Sequence, residues 1–224
     1  MELPAGKTIT VELAGNGAFS SMGQHPDAFW PGGAGNTLDE SSVDRNFWNN
    51  GTAGNLHTTG HADISGCALS IAYTDDPRVV RPDDMVIFSV QQECVWHRDT
   101  LFDIPAKMPP CPNGKCMCSW WCIHNSNGST DQISQTAFQC NITYVPGQEI
   151  SHTPVGNPVP PVKCDDDKST CIRGPKMPMY WKNTECNNMH EPDGSAPSYN
   201  NKYGFFQGAQ DDIFQTINTS NYTC

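Results

Sequence analysis

His57 and His61 stand four residues apart in the polar stretch Gly54-Asn-Leu-His-Thr-Thr-Gly-His61, a spacing that on a helix would turn two imidazoles toward one metal ion. Thr-Thr-Gly between them is poor helix sequence, so the zinc pair is rejected and His57 is read as a loop histidine. The bland reading of any loop histidine is a solvated side chain. His97, His124, His152 and His190 lie in separate stretches without ligand spacing and are read as surface residues. Cys111, Cys116, Cys118 and Cys122 are dense enough to suggest zinc, but an oxidising compartment makes disulfides of such a group. Cys164 and Cys171 bracket a short Asp-rich loop and are expected to pair with each other, closing a small ring in the unfolded chain. Asp165-Asp-Asp167 lacks the calcium-loop pattern and reads as a solvated turn. Trp96, Trp120 and Trp121 offer rings that could stack on sugars, with core packing as the competing explanation. There is no Gly-x-Ser-x-Gly elbow and no Gly-rich phosphate loop.

The elements that must position these residues read as strands. Thr8 to Leu13 alternates, with Ile9, Val11 and Leu13 on one face, the period of a half-buried strand. Leu69, Ile71 and Tyr73 mark a second strand. Met85-Val-Ile-Phe-Ser-Val90 is apolar on both faces, as in a strand sandwiched inside a core, and is expected to lie antiparallel to the second. Phe138, Cys140, Ile142 and Tyr144 share a face of a further strand, with Gln139, the sequon residue Asn141 and Thr143 on the other. A glycan must face solvent, so Phe138 is expected to point inward. Met177-Pro-Met-Tyr-Trp181 is expected to form a last strand. Residues 14–66 carry Gly, Asn, Asp and Ser with little periodicity and read as long loops. One domain is expected over residues 1–211, with a polar tail over 212–224.

Composition narrows the class. The 224 residues suit one domain, and 19 Gly with 18 Pro indicate short elements joined by turns rather than long helices. A formal charge of −11 with 13 Lys and Arg leaves no basic stripe for phosphates, which excludes nucleic acid as the expected partner and matches anionic lipid poorly. No apolar run of about 18 residues spans a membrane. Eleven cysteines with sequons at Asn50, Asn127, Asn141, Asn218 and Asn221 point to a secreted, extracellular glycoprotein. The odd cysteine count, the strand-like start and the lack of a signal peptide are together expected to reflect an upstream segment that this sequence omits.

Six collinear blocks resemble auxiliary activity family 14 of the fungal lytic polysaccharide monooxygenases: Leu3-Pro-Ala-Gly-Lys-Thr-Ile-Thr-Val-Glu-Leu13; His57-Thr with Ala72-Tyr73; Val86-Ile-Phe-Ser-Val90; Pro109-Pro-Cys-Pro-Asn-Gly-Lys-Cys-Met-Cys118; Cys140-Asn-Ile-Thr143; and Gly208-Ala-Gln-Asp-Asp-Ile-Phe214. The resemblance implies an all-β, immunoglobulin-like β-sandwich with long loops and several disulfides. It also implies copper held by a histidine brace, in which an N-terminal histidine gives its amine and ring and a second histidine gives another nitrogen. Three nitrogens begin the tetragonal arrangement that Cu(II) favours. His57 is similar to the second brace histidine. Phe138 stands at the axial position, where the family usually has Tyr, and Gln135 and Gln139 are both candidates for an amide beside the oxygen species.

The activity implied is oxidative cleavage of plant cell-wall polysaccharide, xylan on cellulose, using copper, an external electron donor and oxygen or peroxide. Without a brace histidine at its start, the sequence as it stands is expected to be inactive. Two rivals use the same fold: a non-enzymatic copper-binding protein, and a secreted interaction or effector protein that has abandoned copper.

Overall fold

A computed structural model describes residues 1–14, 20–23, 64–123, 133–192, 194–216 and 222. Among the described residues eight strands carry the fold: β1 (Glu2–Pro4), β2 (Thr8–Glu12), β3 (Cys67–Ala72), β4 (Val86–Gln91), β5 (Asp99–Asp103), β6 (Cys116–Ile123), β7 (Ile133–Thr143) and β8 (Gly208–Ala209). They form a six-stranded sheet in the order β1-β7-β6-β3-β4-β8 and a two-stranded sheet of β2 and β5. Every pairing is antiparallel except β1 with β7. The helical turns among the described residues are short 3-10 pieces, so the fold is all-β, with the strands that the alternating patterns indicated and the sandwich that the family resemblance implied.

The core between the sheets comes from alternate side chains of facing strands. Leu69 and Ile71 of β3, Val86 and Phe88 of β4, and Cys116, Cys118 and Cys122 of β6 meet Phe102 of β5 and the flanking Ile104, with Ile9 and Val11 of β2 packed at the margin. Fully burying a side chain such as Phe102, which is 0% exposed, contributes roughly 1.5–3 kcal/mol. A register shift between Leu69 and Ser70 against β4 changes which residues of β4 face inward, so that Ile87 and Val90 join a second core on the sheet's outer face.

That outer face is covered by irregular chain instead of a third sheet. Met179, Tyr180, Trp181, Met189, Tyr199, Tyr203 and Phe205 pack there on Trp121 and Ile123. The last strand expected over residues 177–181 does not form. Pro178 has no N–H to give a ladder, and the neighbouring amides bond to side chains: Met179 N donates to Tyr199 Oη at 3.0 Å and Tyr180 N to Asn188 Oδ1 at 2.8 Å. Packing continues past residue 211, because the 3-10 turn Asp211–Phe214 buries Ile213 completely.

Disulfides join Cys67 to Cys94, Cys111 to Cys116, Cys118 to Cys140 and Cys164 to Cys171; Cys186 is also disulfide-bonded. The dense group at 111–122 therefore corrects one expectation: Cys122 is a free, buried thiol. Its strand position sets it opposite Cys67, which is already bonded to Cys94.

Candidate functional site

The loop that carries His57 lies outside the described residues, as do His61, His124 and the sequon residues Asn50, Asn127, Asn218 and Asn221. Where the described chain resumes, its course is tightly set. Tyr199 N donates to Ser65 O at 2.7 Å, and Gly66 has φ +75, with room for no Cβ because Tyr199 O would lie 2.7 Å from it. Gly66 thus feeds Cys67 into β3 opposite Gln91 of β4 and Cys122 of β6. The same sheet end holds the start of β7, where Ile133 pairs with Ile123.

Phe138 is half-buried, packed against the inter-sheet core and opposite Cys118. The pleat places it on one face of β7 with Cys140 and Ile142, which are buried. Gln135 and Gln139 are exposed and share the opposite face with Asn141. Asn141 is partly covered, its Nδ2 lying 3.5 Å from Glu2 Oε2. No group of three His, Cys, Asp or Glu side chains converges on a metal-sized site among the described residues, and a phenyl ring has no lone pair to offer. Phe138 therefore cannot itself ligate a metal ion.

Trp120 and Trp121 stand on opposite faces of β6, and Trp96 lies in the β4–β5 turn. Trp121 is 1% exposed, donates its Nε1 to Ser70 Oγ at 2.7 Å and meets Tyr180 edge-on at 5.2 Å, so it is a core residue and no sugar platform. Trp120 and Trp96 pack against the inter-sheet core, and Trp120 Nε1 is buried with no hydrogen-bond partner among the described residues. Asp165–Asp167 is a solvated turn as expected: Asp165 pairs with Lys168 at 3.3 Å, and Asp167 caps the turn that follows.

A cleft of about 580 Å³ opens beside the end of β4, between the β4–β5 turn, β5 and Gln207. Arg98 holds this turn through a 2.7 Å ion pair with Glu12 of β2. Burial raises the Glu12 carboxyl, but hydrogen bonds from Ser21 and Arg98 outweigh it and hold the pKa below the usual carboxylate range. His97 stands 3.7 Å from Glu93 in the cleft wall. Sequence reading did not find this cleft, since Gln207 is remote from Gln91 and glutamines carry no spacing signal. A second, smaller cleft is lined by Tyr73, Asp83, Asp84 and Tyr222. Much of its polar chemistry is already engaged: Tyr73 Oη donates to Pro109 O, Tyr222 Oη donates to Cys186 O, and Asp84 accepts from Arg81 N.

The family model of lytic polysaccharide monooxygenase AA14 matches residues 1–222. The chain belongs to that family. It is 37% identical to AA14 family lytic polysaccharide monooxygenase B of Trametes coccinea over 228 residues, covering 95% of this chain and 50% of the relative. The corresponding protein A of that fungus is 42% identical over 167 residues, covering 70% of this chain and 38% of the relative. Protein B of Pycnoporus cinnabarinus is 36% identical over 228 residues, covering 95% and 56%. The AA14 chain thus spans about half the length of these relatives. No helix among its described residues is long and apolar enough to cross a membrane.

Proposed function

We propose that this AA14 chain is the sandwich domain of a secreted, fungal, copper-dependent monooxygenase that cleaves plant cell-wall polysaccharide oxidatively, with xylan on cellulose as substrate. The observation that carries the reading is the family match over nearly the whole chain on an all-β sandwich. His57 would supply one imidazole to copper, and Phe138 would stand beside it without contributing a ligand. The chemistry copper supplies when bound is hydrogen abstraction beside the glycosidic bond, with an external electron donor and oxygen or peroxide as co-reactants. The protein's part is to hold the polysaccharide in place and to shield the reacting position from water.

Copper titration followed by electron paramagnetic resonance tests the ligand. One imidazole alone binds copper weakly, so a tight type 2 signal is expected of an extended version that also carries an N-terminal histidine upstream of these residues. His57→Ala in that extended protein should abolish both the signal and the release of oxidised oligosaccharides from xylan-coated cellulose. A tight signal that survives His57→Ala overturns the assignment. Tight copper binding without oxidised products favours the non-enzymatic copper protein, and no copper binding by the extended protein favours the interaction protein.

A further inference from the structure

Strand register brings three cysteines together where β3, β6 and the β4–β5 turn converge. Cys67 opens β3 and is bonded to Cys94 of the turn, with Cα atoms 5.3 Å apart. Directly across the ladder from Cys67, on β6, stands Cys122, a free thiol. Residues directly opposite in an antiparallel pair turn their side chains to the same face, with Cα atoms about 4.5–5.5 Å apart. Both Cys67 and Cys122 accordingly belong to the inter-sheet core. That separation lies inside the range a disulfide spans, about 4.4–6.8 Å. Cys67 therefore has two partners of suitable backbone geometry and one bond to give.

Burial limits what can reach that bond. Cys67, Cys94 and Cys122 are 0%, 1% and 3% exposed, so a thiol or reductant in solution does not meet them in the folded chain. Cys116 and Cys118 lie further along β6, at about 3.3 Å of rise per residue, and are bonded to Cys111 and Cys140. Among the described residues, Cys122 is thus the thiol placed to attack Cys67. A free cysteine in a core commonly serves as a small apolar side chain, and Cys122 does fill that role. What sets it apart is the bonded sulfur opposite.

We propose that Cys67 is the pivot of an internal thiol–disulfide exchange, in which Cys122 takes Cys67 from Cys94. The Cys122 thiolate attacks Sγ of Cys67; the Cys67–Cys122 bond forms as the Cys67–Cys94 bond breaks, and Cys94 leaves as a thiolate that takes up the proton Cys122 gave. One disulfide replaces another, so no oxidant or reductant is consumed. The structural consequence is a moved staple. Cys67–Cys94 fastens the β4–β5 turn to β3, whereas Cys67–Cys122 fastens β3 to β6, strands already joined by their ladder. The turn keeps the Arg98–Glu12 ion pair but loses this covalent tie, beside the cleft it helps to line. Burial holds Cys122 as the thiol, so exchange is slow at neutral pH and the two isomers persist long enough to be separated.

Non-reducing peptide mapping tests this on the whole chain, with samples quenched in acid, which stops exchange by removing thiolate, and free thiols blocked before digestion. Incubating the wild-type protein at about pH 9, without added oxidant or reductant, should raise the Cys67–Cys122 peptide about ten-fold or more over the unincubated sample, with a matching gain of blocked Cys94. After return to neutral pH, amide hydrogen exchange in residues 92–98 should be faster than before incubation in wild type and unchanged in Cys122→Ser. Cys94→Ser refolded with oxidised glutathione, which is reduced as the bond forms, should carry Cys67–Cys122. A wild-type sample that keeps only Cys67–Cys94 overturns the proposal, as does a folded Cys94→Ser protein in which Cys67 and Cys122 both stay free. Scrambled pairs that draw in Cys111, Cys116, Cys118 or Cys140 would show exchange through unfolded chains and would overturn it too. Should Cys94→Ser fail to fold, the wild-type incubation decides alone.

Discussion

Lys176 places its Nζ 3.2 Å from Oδ2 of Asp212, with the lysine side chain 1% exposed and the aspartate 10%. The ammonium also donates to Gly174 O at 3.0 Å and stands 5.3 Å from the Phe205 ring centroid. Asp212 in turn accepts from Gly174 N at 2.8 Å. The pair therefore ties the 3-10 turn Asp211–Phe214 to the chain that covers the outer core. Burial pushes the Lys176 pKa down, and Asp212 pulls it partly back. Asp212→Ala strands the charge in the interior, which typically costs about 3–5 kcal/mol. Urea denaturation should show that loss. A change below about 1 kcal/mol, the scale of an exposed pair, would mean that the interaction is solvated.

Alkaline pH should destabilise the fold through its tyrosines. Burial pushes the phenols of Tyr73, Tyr180, Tyr199 and Tyr203 above their ordinary value of 10.0. The unfolded chain releases these protons near pH 10 while the folded chain keeps them, so the unfolded state binds fewer. Their contribution is fully present below about pH 10 and is lost as pH rises above it. Lys176 acts in the opposite sense below 10.5, one group against four. Phenolate absorbance should rise in two stages, the second coinciding with loss of structure by circular dichroism; a single early stage would contradict the burial of these rings.

Cys122 should be inert in the native protein. Burial pushes its thiol to about 12, and the thiolate is the reactive form. Alkylation followed by peptide mapping should leave Cys122 unmodified under native conditions at neutral pH and modify it after unfolding. Native labelling at the rate of an exposed thiol would show that this end of β6 is open.

Trp121→Phe separates a core role from a sugar-stacking one. It removes the 2.7 Å bond to Ser70 Oγ and leaves space where the indole was. The cost should be on the order of 2 kcal/mol by thermal or chemical denaturation, with glycan affinity unchanged. A weakened glycan affinity with intact stability would reverse that role.

The alternation in residues 8–13 and the two-sided apolar run at 85–90 were legible because strand period and burial are local properties of sequence. β2 and β4 occupy those stretches, and β3 and β4 pair antiparallel as expected. The stretch at 177–181 misled because its apolar residues are buried without a ladder: Met179 and Trp181 cover a sheet rather than extend one. Cys122 misled for a related reason. Composition indicates an oxidising compartment, whereas pairing depends on which sulfur lies within reach, and Cys67 opposite it is bonded to Cys94.

By itself the sequence determined the strand class, the disulfide-rich character, the acidic surface and the family. The first three follow from residue types and short spacings, and the family from the resemblance of six collinear blocks, all of which survive without knowledge of contacts. Tertiary structure alone decided that Gln91 and Gln207 share a wall with Leu101, that Lys176 meets Asp212, and that Trp121 is core while Leu101 is surface. These are juxtapositions of residues distant along the chain, produced by sheet register and by the irregular segment laid over the outer face. Nothing in local periodicity encodes them, because the free energy that selects them comes from packing the two layers together.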